Sequence, residues 1–201
     1  MTLREPHKPP FREASKDALF LILRPLVRWL SIMRVRPDTL TVIGWTLALF
    51  SAVLFGLGYA RIAGAVMLLG GLFDALDGAV ARESNRMSSF GAFLDSTLDR
   101  LSESAVFVGL IFFYSSSARP YQALLAAMAM TFSLLTSYAR ARAEGLNIDC
   151  KVGLLERAGR VVILSVFSIV GLPTVGLGLL AAGALVTTAQ RILHVRRASR
   201  G

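Results

Sequence analysis

Apolar and polar positions alternate along this chain in long blocks. Six apolar runs are separated by short polar or Gly/Pro-bearing turns, and each is long enough to read as a helix. They lie at about 39–59, 62–82, 89–114, 120–141, 156–171 and 173–193. Runs near 20 residues match the thickness of bilayer hydrocarbon. The fifth is short and is expected to tilt or to begin outside it. Asp38 reads as the cap of the first run, and Pro120 and Pro173 suit helix starts. Before the first run, residues 11–33 show a one-sided pattern. Leu19, Phe20, Leu23, Leu26, Val27 and Leu30 share a stripe from which Lys16, Arg24 and Arg28 are absent. That reads as an amphipathic interfacial helix, with Trp29 suited to the headgroup level; the alternative is a helix on the soluble side packed on the bundle. Residues 1–10 are polar with three prolines and are expected to be flexible.

The pattern predicts an all-α polytopic membrane protein. Its parts are a flexible and amphipathic region at 1–36, a six-helix domain at 37–195 and a basic tail at 196–201. Composition agrees: 54% of the 201 residues are hydrophobic, more than a soluble domain carries. The net charge of +9 then points to anionic lipid headgroups rather than nucleic acid. Of the 22 Lys and Arg, only Arg61 and Arg119 fall at one set of helix ends. By the positive-inside rule the other end, with both termini, is cytoplasmic in a cell membrane. The single cysteine, Cys150, permits no internal disulfide and reads as an incidental loop residue. His7 and His194 are assigned no chemistry. Gly64, Gly70, Gly71, Gly178 and Gly183 read as helix-packing positions, some of them at the contact of a homodimer.

Four carboxylates break the apolar pattern. Asp74 and Asp77 are three apart near the end of the second run; Asp95 and Asp99 are four apart near the start of the third. Each pair shares a helix face, and the short loop 83–88 returns the chain so that the pairs converge. A carboxylate in hydrocarbon costs roughly 2.5 to 3.5 kcal/mol on insertion scales. Buried ion pairs with Arg82, Arg86 and Arg100 are one reason to bear that cost. Divalent metal is a better one, because the acids outnumber their local bases. An all-oxygen set favours Mg²⁺, Mn²⁺ or Ca²⁺, and two such ions suit chemistry on a diphosphate. Arg82 offers a planar fork to phosphate oxygens, and Gly78 and Ala81 leave room for a ligand. A second basic cluster follows: Arg140 and Arg142 after the fourth run, Arg157 and Arg160 on one face at the start of the fifth. Cations near the acids suit an acceptor that carries a phosphate, unless they are lipid-facing anchors.

The arrangement Asp74-x-x-Asp77-Gly78-x-x-Ala81-Arg82, eight residues, Gly91, three residues, Asp95, three residues, Asp99 resembles the signature of the CDP-alcohol phosphotransferases. The resemblance implies a metal-dependent transfer of a phosphatidyl group from CDP-diacylglycerol, or an archaeal CDP-lipid, to a hydroxyl, with release of CMP. It implies that Asp74, Asp77, Asp95 and Asp99 hold Mg²⁺ or Mn²⁺ ions, two in number. Asp99 would be the general base beside Asp95, and Asp74, Asp77, Gly78, Ala81, Arg82 and Gly91 would bind the CDP unit. SYARARAEG with GLLERAGR is similar to the phosphatidylinositol-phosphate synthase branch. That implies inositol phosphate as acceptor, bound by Arg140, Arg157, Arg160 and Arg191, with Arg140 where that branch is expected to carry lysine. Phosphatidylglycerol-phosphate or phosphatidylserine synthesis is the alternative reaction, and a small cation transporter the alternative of another class.

Overall fold

The computed structural model describes residues 24–30, 32–33, 35–83 and 88–200, and all of its regular structure is helical. A short helix over 24–30 (α1) precedes α2 (Pro37–Gly56), α3 (Ala60–Glu83), α4 (Ser89–Ser116), α5 (Pro120–Glu144), α6 (Arg157–Ile169) and α7 (Pro173–Ala198). The expectations for residues 1–10, for the first half of the amphipathic helix and for most of the loop 83–88 fall outside the described residues. Among the described residues, α2, α3, α5 and α7 are the four helices long and apolar enough to cross a membrane. The protein is an integral membrane protein on that ground. Helix α4 has the length but carries Asp95, Asp99 and Arg100 in its first half and Glu103 at its middle. Helix α6 has 13 residues, or roughly 20 Å at the helical rise, less than a hydrocarbon core.

Each boundary has a local cause. Pro37, Pro120 and Pro173 stand in the first turns of α2, α5 and α7, where a fixed φ helps and no N–H is missed. Asp38 is therefore not the cap of α2. Arg36 holds that position without a side-chain bond, and Asp38 lies inside the first turn, where its charge suits the helix dipole. Ser88 caps α4, its Oγ accepting from the Gly91 N–H at 2.9 Å. Helix α7 runs through Ala198, so Arg196 and Arg197 form its last turn rather than a separate tail from 196; cations suit a helix C-terminus.

The closest neighbours form a closed ring in the order α2, α4, α5, α7, α6, α3 and back to α2. Phe55, Phe107, Leu110, Leu164, Leu177 and Leu180 fill its middle. Small residues let the backbones meet: a Cβ on Gly64 would lie 2.7 Å from the Ser165 carbonyl of α6. Gly70, Gly71 and Gly183 likewise face atoms of their own chain, whereas Gly178 has nothing within 4 Å. Val27 and Leu30 of α1 pack with Leu40, Leu76 and Val80 at the ends of α2 and α3, while Arg24, Arg28 and Trp29 remain exposed. Cys150 is not an incidental loop residue: it is fully buried, because the loop carrying it folds back under α7.

Candidate active site

One end of the ring carries the chemistry. The C-terminal halves of α3, α5 and α7 and the N-terminal turns of α2, α4 and α6 meet there. Asp74 comes from α3, Asp95 and Asp99 from α4, and one oxygen from each lies within 4.8 Å of the others. Three carboxylates of all-oxygen character at that spacing fit a hard divalent cation. Asp77 stands outside this group. It is buried, and its Oδ2 accepts from Thr41 Oγ1 of α2 at 2.6 Å.

Helices α4 and α6 stand on opposite sides of the ring and reach one another through side chains. Arg157 Nη2 lies 2.8 Å from Asp99 Oδ1, and Arg157 Nη1 donates to Asp74 Oδ2 at 2.7 Å. One turn deeper, Arg160 Nε and Nη2 donate to the two oxygens of Glu103 at 2.6 and 2.9 Å, and Nη2 approaches Ser137 Oγ at 3.4 Å. Arg160 is 2% exposed and Glu103 6%, so this bidentate pair is removed from water. Among the described residues the close ion pairs of the aspartates are those of Asp74 and Asp99 with Arg157; of the ion-pair alternative, Arg86 lies outside the described residues. Arg82 is exposed beside Gly78, and Arg100 donates to the Ser96 carbonyl of its own helix.

These two rungs share their residues with two spaces. Beneath the acids is a small cavity of about 40 Å³, walled by Trp45, Met67, Val106 and Val161. On the other side is a polar cavity of about 370 Å³, bounded by Asp95, Asp99, Arg100, Arg140, Arg157 and Arg191. Asp99, Glu103 and Arg157 line both. All four arginines expected at the acceptor pocket border the larger space, with different commitments. Arg140 pairs with Glu144 at 2.8 Å. Arg157 bridges two aspartates and Arg160 is spent on Glu103. Arg191 donates to the carbonyls of Val152 at 3.0 Å and Thr136 at 2.5 Å.

The position of α6 depends on the loop before it, and α7 holds that loop by its backbone. Thr187 Oγ1 accepts from the Leu155 N–H at 2.9 Å, and Gln190 Oε1 from the Leu154 N–H at 2.8 Å. His194 Nε2 lies 2.9 Å from the Asp149 carbonyl oxygen. Lys151, 2.8 Å from the Asp149 carboxylate, holds that group below its ordinary range.

Of the CDP-contact residues expected from the motif, Gly78 is open on its Cα, the nearest atom to an added Cβ being Arg82 Nη1 at 3.5 Å. Ala81 lies one turn on, half-buried. Gly91 has a closer constraint, since a Cβ there would meet Ser88 Oγ at 2.9 Å. The motif pattern missed Glu103, Thr41 and Ser137. Glu103 had a signal, because it extends the Asp95–Asp99 spacing by four more residues. Thr41 and Ser137 had none.

The CDP-alcohol phosphatidyltransferase family model matches residues 34–190. The chain belongs to that family. As a CDP-alcohol phosphatidyltransferase it is a transferase, and of its four motif aspartates on α3 and α4, Asp95 and Asp99 line the polar cavity. It is 36% identical over 165 residues to the archaetidylinositol phosphate synthase of Methanothermobacter thermautotrophicus, covering 79% of this chain and 82% of the relative. It is 35% identical over 196 residues to the phosphatidylinositol phosphate synthase of Mycobacterium tuberculosis, covering 92% and 89%. Two crystal structures of that synthase superpose with a TM-score of 0.77. The one with CDP-DAG bound is 32% identical and matches 85% of this chain and 92% of its own. The one in complex with manganese and citrate is 33% identical and matches 86% and 88%.

Proposed function

We propose that this phosphatidyltransferase makes phosphatidylinositol phosphate, or its ether-lipid counterpart, from a CDP-linked lipid and inositol phosphate, with CMP as the second product. The polar, arginine-bordered cavity of about 370 Å³ opening onto Asp95 and Asp99 carries this reading, because it offers a phosphorylated acceptor both cations and room. The relatives named for inositol phosphate products support it.

Asp74, Asp95 and Asp99 would hold a divalent ion, Mg²⁺ or Mn²⁺, and a second ion would draw on Asp77. Bound there, such ions polarise the diphosphate and neutralise the charge of departing CMP. Around them the chain's own residues divide the task. Gly78 and Ala81 let the CDP unit approach the α3 backbone, and Arg82 pairs with its phosphates. Arg140, Arg157 and Arg191 orient the acceptor phosphate at the polar cavity. Asp99 accepts the proton of the acceptor hydroxyl as its oxygen bonds the lipid-side phosphorus and the bond to CMP breaks.

In the same proposal α4 and α6 complete six membrane-crossing helices and α1 lies in the interface. Arg61 and Arg119 mark the outer end, and the site faces the cytoplasm. A homodimer would use the α7 surface at Gly178, the one of the five glycines whose added Cβ would meet no described atom within 4 Å; light scattering in detergent tests that part.

The deciding experiment is CMP release by purified protein given CDP-diacylglycerol and Mg²⁺ or Mn²⁺. Turnover with inositol phosphate and none with inositol supports the proposal. Turnover only with glycerol 3-phosphate or serine assigns the enzyme to another acceptor. Chelation should stop the reaction, and added metal should restore it.

A further inference from the structure

We infer that Glu103, a residue outside the family motif, is a positioning residue for the reaction: acting through Arg160, it sets where Arg157 meets the aspartates. The inference rests on the transferase reading but not on which alcohol is the acceptor.

Helix α6 packs chiefly on α3 and α7, and α4 chiefly on α2 and α5. Neither helix takes its place from packing on the other. What spans the ring between them at the site end is the pair of rungs, Arg157 to Asp99 and Arg160 to Glu103. The rungs are not alike. Arg157 and its aspartates are part-exposed, with side chains 28%, 31% and 18% open. The Glu103 rung is buried and bidentate, with Ser137 of α5 within reach of the same guanidinium. A planar fork gripped at two nitrogens has little rotational freedom, so the deeper rung fixes both height and rotation of α6. Arg157 lies three residues before Arg160 on the same face and inherits that placement.

Two further observations agree. Glu103 borders both cavities, as Asp99 and Arg157 do, so the rung belongs to the wall that keeps them apart. Arg160 also borders the polar cavity, yet its Nε and Nη2 are both engaged by Glu103. Glu103 therefore holds a guanidinium against the wall that would otherwise be free to swing into the acceptor space.

The test uses Glu103→Gln, which keeps the shape and removes the charge, and Glu103→Asp, which keeps the charge but shortens the reach. CMP release is measured with whichever alcohol the wild-type enzyme accepts. Because displacement of a catalytic group by about 1 Å can cost on the order of 100-fold, Glu103→Gln should lower kcat/KM for the alcohol by about that factor. KM for the CDP-lipid should stay within about threefold, and Glu103→Asp should fall between Gln and wild type. In an Arg157→Lys background the same Gln substitution should cost less than about threefold, since two residues acting in series do not multiply. The inference is overturned if folded Glu103→Gln keeps the wild-type kcat/KM for the alcohol. It is overturned equally if both substrates suffer alike, or if the full loss persists in the Arg157→Lys background. Should the Gln protein not survive purification, Glu103→Asp decides alone on the same split between substrates. An acceptor other than inositol phosphate would defeat the preceding proposal and leave this test standing.

Discussion

The two ends of the helix ring close with different shares of local and long-range bonds, and Tyr114 to Thr174 at 3.2 Å is the long-range side-chain bond of the far end's turns among the described residues. At the far end each turn satisfies itself. The Tyr59 N–H returns to Leu54 O, Arg119 to Tyr114 O and Leu172 to Phe167 O, at 2.9, 2.9 and 2.7 Å. Each turn contains one left-handed residue, Gly58, Ala118 or Gly171. These are the six-to-one closures of helix C-termini, and all their bonds are local. At the site end α5 closes in the same local way, the Ile148 N–H to Ala143 O at 3.0 Å with Asn147 left-handed, but further closure is made between distant segments: Thr41 to Asp77, Arg157 to Asp74 and Asp99, Arg160 to Glu103, and Thr187 and Gln190 to the loop before α6. A turn that needs no partner places its helices and nothing more. An end built from long-range side-chain bonds holds charges at chosen distances, which is what transfer chemistry requires.

Changes at the site end should break function before fold. Asp95→Asn removes one of three converging carboxylates and should lower CMP release on the order of 10³-fold, while CDP-lipid binding to the folded protein remains measurable. Arg160→Ala strikes both properties. It leaves Glu103 buried without its partner, which should cost about 3 to 5 kcal/mol, read as a lower thermal unfolding midpoint in detergent.

Changes away from the site should shift stability alone. Gly64→Ala forces a Cβ against the Ser165 carbonyl and should cost about 1 to 3 kcal/mol as α3 and α6 separate. The smallest effect sharpens the comparison from the self-contained end. Ala118 holds φ 52° where its two counterparts are glycine, so Ala118→Gly should stabilise by about 0.5 kcal/mol and leave turnover unchanged. Loss of activity in Ala118→Gly would mean that the two ends are coupled.

How much of this was legible from residues alone varies from element to element. The prolines at 120 and 173 marked two helix starts, because proline's fixed φ acts locally; proline at 37 read only as a break before a run opening at 39, whereas it starts α2. The aspartate spacing placed each acid pair on one face of its helix for the same reason, since helical periodicity is local; that α3 and α4 flank α2 instead of packing on one another was not legible. Asp38 as a cap failed because proline at 37 displaced the cap by two residues to Arg36. Arg160 and Arg191 stood among the cations expected to bind the acceptor phosphate. Burial shows Arg160 bonded to Glu103 and Arg191 to two carbonyl oxygens, and burial is a property of what packs alongside.

Sequence by itself determined the helices, the membrane-crossing character of α2, α3, α5 and α7 and the four aspartates, because hydrophobic period and short-range sterics act within about one helical turn of each residue. It did not determine which charge meets which. That Arg157 crosses the ring to Asp74 and Asp99, that Glu103 grips Arg160, and that α7 straps the loop before α6 were decided only when six helices closed into a ring. Pairings between residues 57 to 83 positions apart depend on where whole helices come to rest, and no local pattern encodes that.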